Sequence, residues 1–192
     1  MTGIIIDCKT LSQRIRNEIA EEVAYLQKTY SVTPSLAVIR VGNDAASYTY
    51  VQNKKKACNL AGITSIEIHL PAHILQSYLI ETIQHLNNDP IVHGILVQLP
   101  LPEHIKTDEV IETIDPKKDV DGFHPYNVGR LTIGLESIKP CTPLGIMKIL
   151  EEIHEEVHGK NVVVIGASNI VGKPMASLLM QTGATVTLCH KY

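Results

Sequence analysis

Short apolar runs alternate with helical segments along the chain, and this alternation restricts the fold more than any other feature. The runs are rich in β-branched residues and are bounded by glycine, proline or polar residues, as buried strands are. They are Ser35–Val41, residues 63–70, residues 91–99, Asn161–Ile165 and Thr185–Cys189. Because a helix between two strands returns the chain to the same end of a sheet, this order predicts α/β domains with a mostly parallel sheet.

The segments between the runs show the period of amphipathic helices. We expect helices at residues 9–30, 47–62, 74–86, 106–114, 142–158 and from the glycine-containing turn at 166–172 to about residue 181, and a further short strand at residues 1–7. Thr142 is expected to cap the fifth helix, with Pro143 at its first position. Residues 123–139 contain two glycines and few periodic apolar residues, so we expect a loop there.

The composition excludes several classes of protein. The chain has 192 residues, 44% of them hydrophobic, and a formal net charge of −3, so a nucleic-acid partner is not expected. It has neither a run of roughly 20 apolar residues nor the apolar core of a signal peptide, which predicts a cytoplasmic protein without a membrane partner. The four cysteines are scattered, so reduced thiols are expected. His154 and His158 are four residues apart on an acidic face, and we predict no metal site there.

A tyrosine and a lysine one helical turn apart are the first candidates for chemistry. One side of the second predicted helix carries Ser47, Tyr50, Val51, Ala57, Cys58 and Ala61. Lys54 falls near the middle of that stripe, whereas Lys56 points the opposite way. Burial and neighbouring cations favour the neutral form of a lysine, and a neutral amine can exchange protons near neutral pH. The alternative, in which the ammonium reaches out of the stripe into water, stays open.

Two further polar residues stand where parallel sheets and loops bind ligands. Gln98 interrupts an apolar run at its carboxyl end, and it is either a core glutamine bonded to the backbone or part of a site shared with Lys54. Asp121 precedes Gly122 in a loop with three carboxylates that lacks the order of a calcium loop. It is either a turn residue or a carboxylate that accepts two parallel N–H bonds from a 2-amino-4-oxo-pyrimidine edge.

The strand Asn161–Ile165 runs straight into a turn with the pattern G-x-S-x-x-x-G-x-P and then a helix. A strand, a glycine turn and a helix N-terminus in this order cradle a dinucleotide pyrophosphate, although the usual G-x-G-x-x-G is not met. His190 and Lys191 follow the next strand, where an NAD site often carries an acid, and basic residues there favour the 2′-phosphate of NADP. Two strands and one helix do not complete a doubly wound domain, so we expect an incomplete Rossmann-type domain that is either truncated or completed by strands of a partner.

Together these motifs resemble the bifunctional methylenetetrahydrofolate dehydrogenase/methenyltetrahydrofolate cyclohydrolase family. The motifs are Tyr50-x-x-x-Lys54, Val97-Gln-Leu-Pro-Leu-Pro102, Lys118-Asp-Val-Asp-Gly122, Gly129-Arg-Leu131, Pro140-Cys-Thr-Pro143 and Gly166-x-Ser-x-x-x-Gly-x-Pro174. The resemblance covers the chain from its first predicted strand to Tyr192. It implies oxidation and hydrolysis of a folate substrate, NADP as cofactor, and a cytoplasmic homodimer in the one-carbon metabolism that supplies purine, histidine and methionine biosynthesis.

The resemblance also implies roles for individual residues. Lys54 would be the catalytic lysine, Tyr50 the aromatic residue that packs on the folate and orients the lysine, and Gln98 the partner that tunes it. Asp121 would hold the pterin edge. Val97 and Leu99 would bind the substrate beside Gln98. The cofactor would meet Gly166, Ala167, Ser168, Gly172, Pro174 and His190. Many family members carry an arginine, which grips the 2′-phosphate, where Ala167 stands.

The implied organisation is two α/β domains. Residues 1–142 would form a folate-binding catalytic domain with a mostly parallel sheet, residues 143–159 a connecting helix, and residues 160–192 the start of the incomplete NADP-binding Rossmann domain. One alternative is a catalytically impaired folate-binding fragment. The other is a short-chain dehydrogenase, which shares Y-x-x-x-K; in that class the glycine turn precedes the tyrosine, whereas here it follows by more than a hundred residues.

Overall fold

The computed structural model describes residues 3 and 5–190, and the chain folds into two compact units. The amino-terminal unit is Ser12–Asp119, and the carboxy-terminal unit comprises the chain from Val120 onward together with the residues up to Leu11. The helices are α1 (Cys8–Tyr30), α2 (Ala45–Leu60), α3 (Gln76–Asn88), α4 (Thr107–Thr113), α5 (Pro125–Thr132), α6 (Cys141–Glu152) and α7 (Gly172–Gln181). The strands are β1 (Ser35–Val41), β2 (Thr64–Leu70), β3 (Gly94–Val97), β4 (Asn161–Ile165) and β5 (Thr185–Cys189).

A three-stranded parallel sheet of order β2-β1-β3 organises the amino-terminal unit. Its central strand is apolar from Leu36 to Ile39 because both of its faces are covered. One face packs on α3 and α4, where Ile39, Leu79, Ile83, Ile95 and Val110 are fully buried. The other face packs on α2 through Val51 and Cys58. The carboxyl ends of all three strands therefore lie together at one edge, where polar side chains can meet.

The carboxy-terminal unit contains the parallel pair β4-β5. Helix α7 packs on both strands and on α5 and α6, and Met175, Leu178 and Leu179 form the centre of its core together with Leu131. The strand, turn, helix and strand predicted for residues 161–189 are confirmed.

Two predicted elements at the chain start and in the middle are wrong. Residues 3 and 5–7 are not a strand, because the Asp7 carboxylate accepts the N–H groups of Lys9 and Thr10 and starts α1 instead; the rest of that prediction lies outside the described residues. The predicted loop 123–139 contains α5, which begins at Pro125 with His124 as its cap. This helix has only eight residues, of which Asn127 and Leu131 are buried, so an apolar period has little length over which to be recognised in the sequence.

Three predicted helix ends also differ. Helix α6 begins at Cys141 with Pro140 as its cap, so Thr142 lies inside the first turn and is not the cap. It ends at Glu152 rather than at 158, because His154 adopts a left-handed conformation with φ of 55°. Helix α2 ends at Leu60, just before the left-handed Gly62. None of the helices in the described part of the chain is both long and apolar enough to span a bilayer.

Candidate active site

Lys54 and Gln98 meet at the carboxyl edge of the sheet in the amino-terminal unit. Asp44 caps α2 by accepting the N–H of Ser47 at 2.7 Å, and the resulting helix register turns Lys54 toward the sheet. The Lys54 Nζ donates a hydrogen bond of 3.0 Å to the Oε1 of Gln98. Lys54 is half-buried, so the alternative in which its ammonium extends alone into water is excluded.

The orientation of the Gln98 amide is set by the backbone around it. Gln98 is the first residue after β3, and its own N–H donates to the Ile39 carbonyl at 2.8 Å. Its side-chain Nε2 donates to the Leu99 carbonyl at 2.7 Å, which leaves Oε1 facing Lys54. Both expected contacts of Gln98 are therefore present, since the amide bonds to the backbone at one end and to Lys54 at the other.

The side chains around Lys54 on α2 face different surroundings. Tyr50 is 61% exposed, so its predicted place on the buried stripe is wrong; the stripe is narrower and centres on Val51 and Cys58. Burial raises the pKa of the Cys58 thiol. Lys55 pairs with Glu67 at 3.5 Å, and Lys56 is exposed as predicted. The exposed ring of Tyr50 thus lies one helical turn before the Lys54 amine, where it can stack on a planar ligand.

Arg40 at the end of β1 is a polar residue that the sequence reasoning missed. It is 6% exposed, its Nη1 donates to the Gly42 carbonyl at 2.6 Å, and its Cζ lies 5.4 Å from the ring centroid of Tyr48. The available signal was a single arginine within an otherwise apolar strand.

The residues that flank Gln98 on β3 and after it differ in exposure. The Val97 side chain packs in the core on the α3 side of the sheet, so only its backbone can meet a ligand at the edge. Leu99 is half-buried and precedes Pro100 through a cis peptide bond.

Asp121 belongs to the carboxy-terminal unit, unlike Lys54, Tyr50 and Gln98. It is half-buried and precedes Gly122, which has φ of 67°. A Cβ on Gly122 would lie 2.6 Å from the Ile138 carbonyl oxygen, so only glycine fits this turn. The adjoining Lys118 has a structural role, since its Nζ donates to the Leu86 and Asp89 carbonyls at the end of α3.

The turn between β4 and α7 closes tightly. Gly166 has φ of 117° and is exposed, and a Cβ on Gly172 would lie 1.7 Å from the Gly166 carbonyl oxygen. The Ser168 hydroxyl accepts the N–H groups of Val171 and Gly172, which holds the turn against the helix start. The amides of residues 167–170 donate no hydrogen bond to any residue that the structure describes. Free amides before a helix N-terminus suit a phosphate group.

The other predicted cofactor residues are divided between the interior and the surface. Pro174 is buried within α7 and Ala167 is half-buried, whereas His190 is exposed directly after β5. Lys191 lies outside the described residues. Between residue 5 and residue 190 no three His, Cys, Asp or Glu side chains come together as a set of metal ligands.

Solved structures of known proteins share this fold closely. The bifunctional enzyme FolD, a methylenetetrahydrofolate dehydrogenase/cyclohydrolase from Campylobacter jejuni, matches with a TM-score of 0.96 and 51% identity over 98% of this chain and 67% of its own. The Trypanosoma brucei methylenetetrahydrofolate dehydrogenase-cyclohydrolase, solved with NADP cofactor and inhibitor, matches with a TM-score of 0.95 and 39% identity over 99% of this chain and 65% of its own. The NAD-dependent 5,10-methylenetetrahydrofolate dehydrogenase from Saccharomyces cerevisiae matches with a TM-score of 0.83 and 27% identity over 94% of this chain and 62% of its own.

Curated relatives are more than half identical to the chain. The bifunctional protein FolD of Helicobacter hepaticus is 54% identical over 97% of this chain and 65% of its own length. That of a Nitratiruptor species is 55% identical over 98% and 67%. The chain thus spans about two thirds of the length of the curated relatives it matches.

Two family models divide the chain between them. The catalytic-domain model of tetrahydrofolate dehydrogenase/cyclohydrolase matches residues 6–121, and the NAD(P)-binding-domain model matches residues 140–192. The predicted α/β fold class and the resemblance stated from the motifs are confirmed. The chain belongs to the tetrahydrofolate dehydrogenase/cyclohydrolase family.

Proposed function

We propose that the chain catalyses the NADP-dependent oxidation of 5,10-methylenetetrahydrofolate to 5,10-methenyltetrahydrofolate and the hydrolysis of that product to 10-formyltetrahydrofolate. The observation that carries the proposal is the 3.0 Å hydrogen bond between Lys54 Nζ and Gln98 Oε1 at the carboxyl edge of a parallel sheet. The names of the FolD relatives, which describe bifunctional enzymes, support the same pair of reactions.

In the hydrolytic step the protein contributes proton transfer through Lys54. Water adds to the cationic methenyl carbon, and Lys54 accepts the proton that this water loses. The bond from that carbon to the ring nitrogen then breaks as the nitrogen gains a proton and the added hydroxyl becomes the formyl carbonyl, so one proton is released overall. Because Gln98 occupies one N–H of the amine and is itself held by Leu99, the amine points in a defined direction.

Tyr50 and Asp121 are proposed to bind the folate. The exposed Tyr50 ring stacks on a planar part of the folate one helical turn before the reactive amine. The Asp121 carboxylate accepts two N–H groups of the pterin edge, as planar donors pair with carboxylates elsewhere. Val97 contributes through its backbone, and Leu99 adds apolar contact.

The cofactor is proposed to bind at the turn before α7. When bound, NADP accepts the hydride that leaves the bridging methylene carbon of the folate. The free amides of residues 167–170 and the helix N-terminus hold the pyrophosphate, and the exposed, Cβ-free Gly166 leaves room for its close approach. Ser168 keeps the turn in place, and His190 faces the 2′-phosphate. The start of α7 is fixed by Gly172 and by the buried Pro174.

The wider assignment follows the same family. We propose a cytoplasmic homodimer that binds neither nucleic acid nor membranes and acts in the one-carbon metabolism supplying purine, histidine and methionine biosynthesis. The domain limits at residues 142 and 159 belong to this proposal. The alternative is a chain that binds folate but catalyses neither reaction. A measurement of enzymatic activity distinguishes this alternative from the proposed function.

The decisive experiment compares the purified chain with its Lys54→Met variant. We expect hydrolysis of methenyltetrahydrofolate well above the buffer rate, and a loss of about 10²–10⁴-fold in the variant because a proton-transfer group is removed. Lys56→Met, which removes an exposed lysine two residues away, should keep the wild-type rate. If wild type and Lys54→Met both hydrolyse at the buffer rate, only folate binding remains. Reduction of NADP and of NAD, followed with methylenetetrahydrofolate, tests the oxidative step and the cofactor choice.

A further inference from the structure

The sheet edge in the amino-terminal unit carries a buried cation that the proposed reaction does not use. The guanidinium of Arg40 has one hydrogen bond, from Nη1 to the Gly42 carbonyl, and one ring contact, with Tyr48. Its Nε is buried and has no hydrogen-bond partner. No Asp or Glu among residues 5–190 forms an ion pair with it. An arginine cannot become neutral by losing its proton, so the charge stays uncompensated.

Strand alternation places this cation next to the Lys54–Gln98 pair. Ile39 packs in the core on the α3 side, so the next residue, Arg40, turns to the α2 side. Gln98 also faces α2, because it bonds to Lys54 of that helix. β1 and β3 are neighbours in the sheet, and adjacent strands are about 5 Å apart. Arg40 and Gln98 thus stand side by side on one face of the sheet edge.

Two acids of the described part of the chain, Asp44 and Glu67, already have other partners. The Asp44 carboxylate is used in capping α2, and the pKa of this group is lowered by its hydrogen bond from Ser47. The Glu67 carboxylate forms an ion pair with Lys55 and accepts a hydrogen bond from Gln52. Buried charges in proteins are paired, because burial without a partner is strongly unfavourable. Residues 5–190 therefore leave the charge of Arg40 without a carboxylate partner.

We propose that Arg40 anchors a subsite for a small oxyanion, a carboxylate or a phosphate, beside the Lys54–Gln98 pair. The planar guanidinium fork matches both groups in a bidentate manner. Tyr48, whose ring contacts the guanidinium, is 51% exposed, so it is the surface side chain that an entering anion would displace. One source of the anion is a carboxylate on the glutamate tail of folate, and this source rests on the proposed function. The other is free phosphate, which does not.

The first arm of the test measures the binding of inorganic phosphate by calorimetry at constant ionic strength, with saturating NADP present so that the phosphate site proposed at the turn before α7 is already filled. Arg40→Met keeps the apolar length of the side chain and removes the charge, and it should bind phosphate at least tenfold more weakly than wild type. Lys56→Met removes one positive charge from an exposed position and should bind like wild type. If Arg40→Met does not fold, as judged by circular dichroism, Arg40→Lys replaces it; this variant keeps the charge but loses the fork, and a weakening of at least threefold is expected.

The second arm compares tetrahydrofolate with an analogue that lacks the terminal glutamate. If the tail is the anion, the analogue binds wild type at least tenfold more weakly than tetrahydrofolate does, and phosphate competes with folate. In Arg40→Met the analogue then binds no more weakly than tetrahydrofolate. If free phosphate is the anion, it binds together with folate and Arg40 does not affect the tail. The proposal is overturned when neither phosphate nor the tail distinguishes the Arg40 variant from wild type. Absence of any folate binding counts against the proposed function instead, and the phosphate arm still decides on the subsite.

Discussion

At the scale of single residues, the helical period around Lys54 was sufficient to predict that its side chain faces the sheet. The same reasoning could not predict its partner, because the 3.0 Å contact joins residues 44 positions apart in the chain. Gln98 was recognisable only as a polar interruption of an apolar run. What decides its role is the backbone carbonyl of Leu99, which turns the amide oxygen toward the amine.

Replacing Gln98 by alanine should reduce hydrolysis more than folate binding. The variant removes the acceptor that holds the Lys54 amine, and a hydrogen bond to a charged or proton-transferring group is worth about 1.5–3 kcal/mol, so a loss of roughly 10–100-fold in turnover is expected. The dissociation constant for folate, measured by fluorescence titration, should change less than about threefold.

A matched control for this variant is Gln52→Ala. Gln52 lies on α2 and bonds to Glu67 rather than to Lys54, so its loss should leave both turnover and folate affinity close to wild type. Equal losses of binding and turnover in Gln98→Ala would contradict the tuning role and assign Gln98 to substrate binding alone.

At the scale of secondary-structure elements, the long periodic helices, the β-branched strands and the short helix α4 were predicted, whereas the short helix α5 was not. α1 and the strands of both sheets form where expected, because apolar period and β-branched content act over many residues. α5 was missed because a helix of 8 residues is set by its cap and first proline rather than by a period. The start of α6 at Cys141 was likewise missed, because it is set by Pro140 as the cap rather than by a period.

The contacts of Lys118 at the end of α3 allow a test of how a loop residue stabilises this helix. Lys118 donates to the Leu86 and Asp89 carbonyls there, at 2.9 and 2.8 Å. The same carbonyls also accept the N–H groups of Asp89 and Val92, at 3.3 and 3.2 Å. Lys118→Met should lower the free energy of unfolding by about 1–3 kcal/mol, because a half-buried charged donor is lost and each carbonyl keeps only its longer backbone hydrogen bond. Urea denaturation measures this change.

The exposed neighbour Lys117 serves as the control for that measurement. Lys117→Met removes a charge from the same loop without touching a helix end, so its unfolding free energy should stay within about 0.5 kcal/mol of wild type. If both variants unfold at the wild-type urea concentration, the contacts of Lys118 do not stabilise α3.

At the scale of the whole molecule, the two units carry different ligands in the proposed function. Helix α2 and the sheet edge belong to the amino-terminal unit, and the turn before α7 belongs to the carboxy-terminal unit. Each unit has its own buried apolar cluster, so each can respond to its own ligand.

Hydrogen exchange followed by mass spectrometry should resolve these two responses. The amides of residues 167–170 have no partners within the described chain and should exchange fast until NADP is added. Folate should slow exchange in Ala45–Leu60 instead. A ligand at 100 times its dissociation constant stabilises the state it binds by about 2.7 kcal/mol, which lies well within the range of the method. If NADP leaves the exchange of residues 166–172 unchanged, the proposed cofactor site is wrong.

The sequence by itself determined the α/β class, the parallel pairing of strands through intervening helices, the family, and which face of α2 carries Lys54. These properties depend on local period, β-branched content and short motifs, which act between residues close in the chain. Only the tertiary structure decided that Gln98 meets Lys54, that Lys118 bonds to the end of α3, and that Arg40 is buried without a carboxylate partner among residues 5–190. Those facts depend on which strands become neighbours and which backbone groups lack partners, and both are properties of the assembled sheet rather than of any segment.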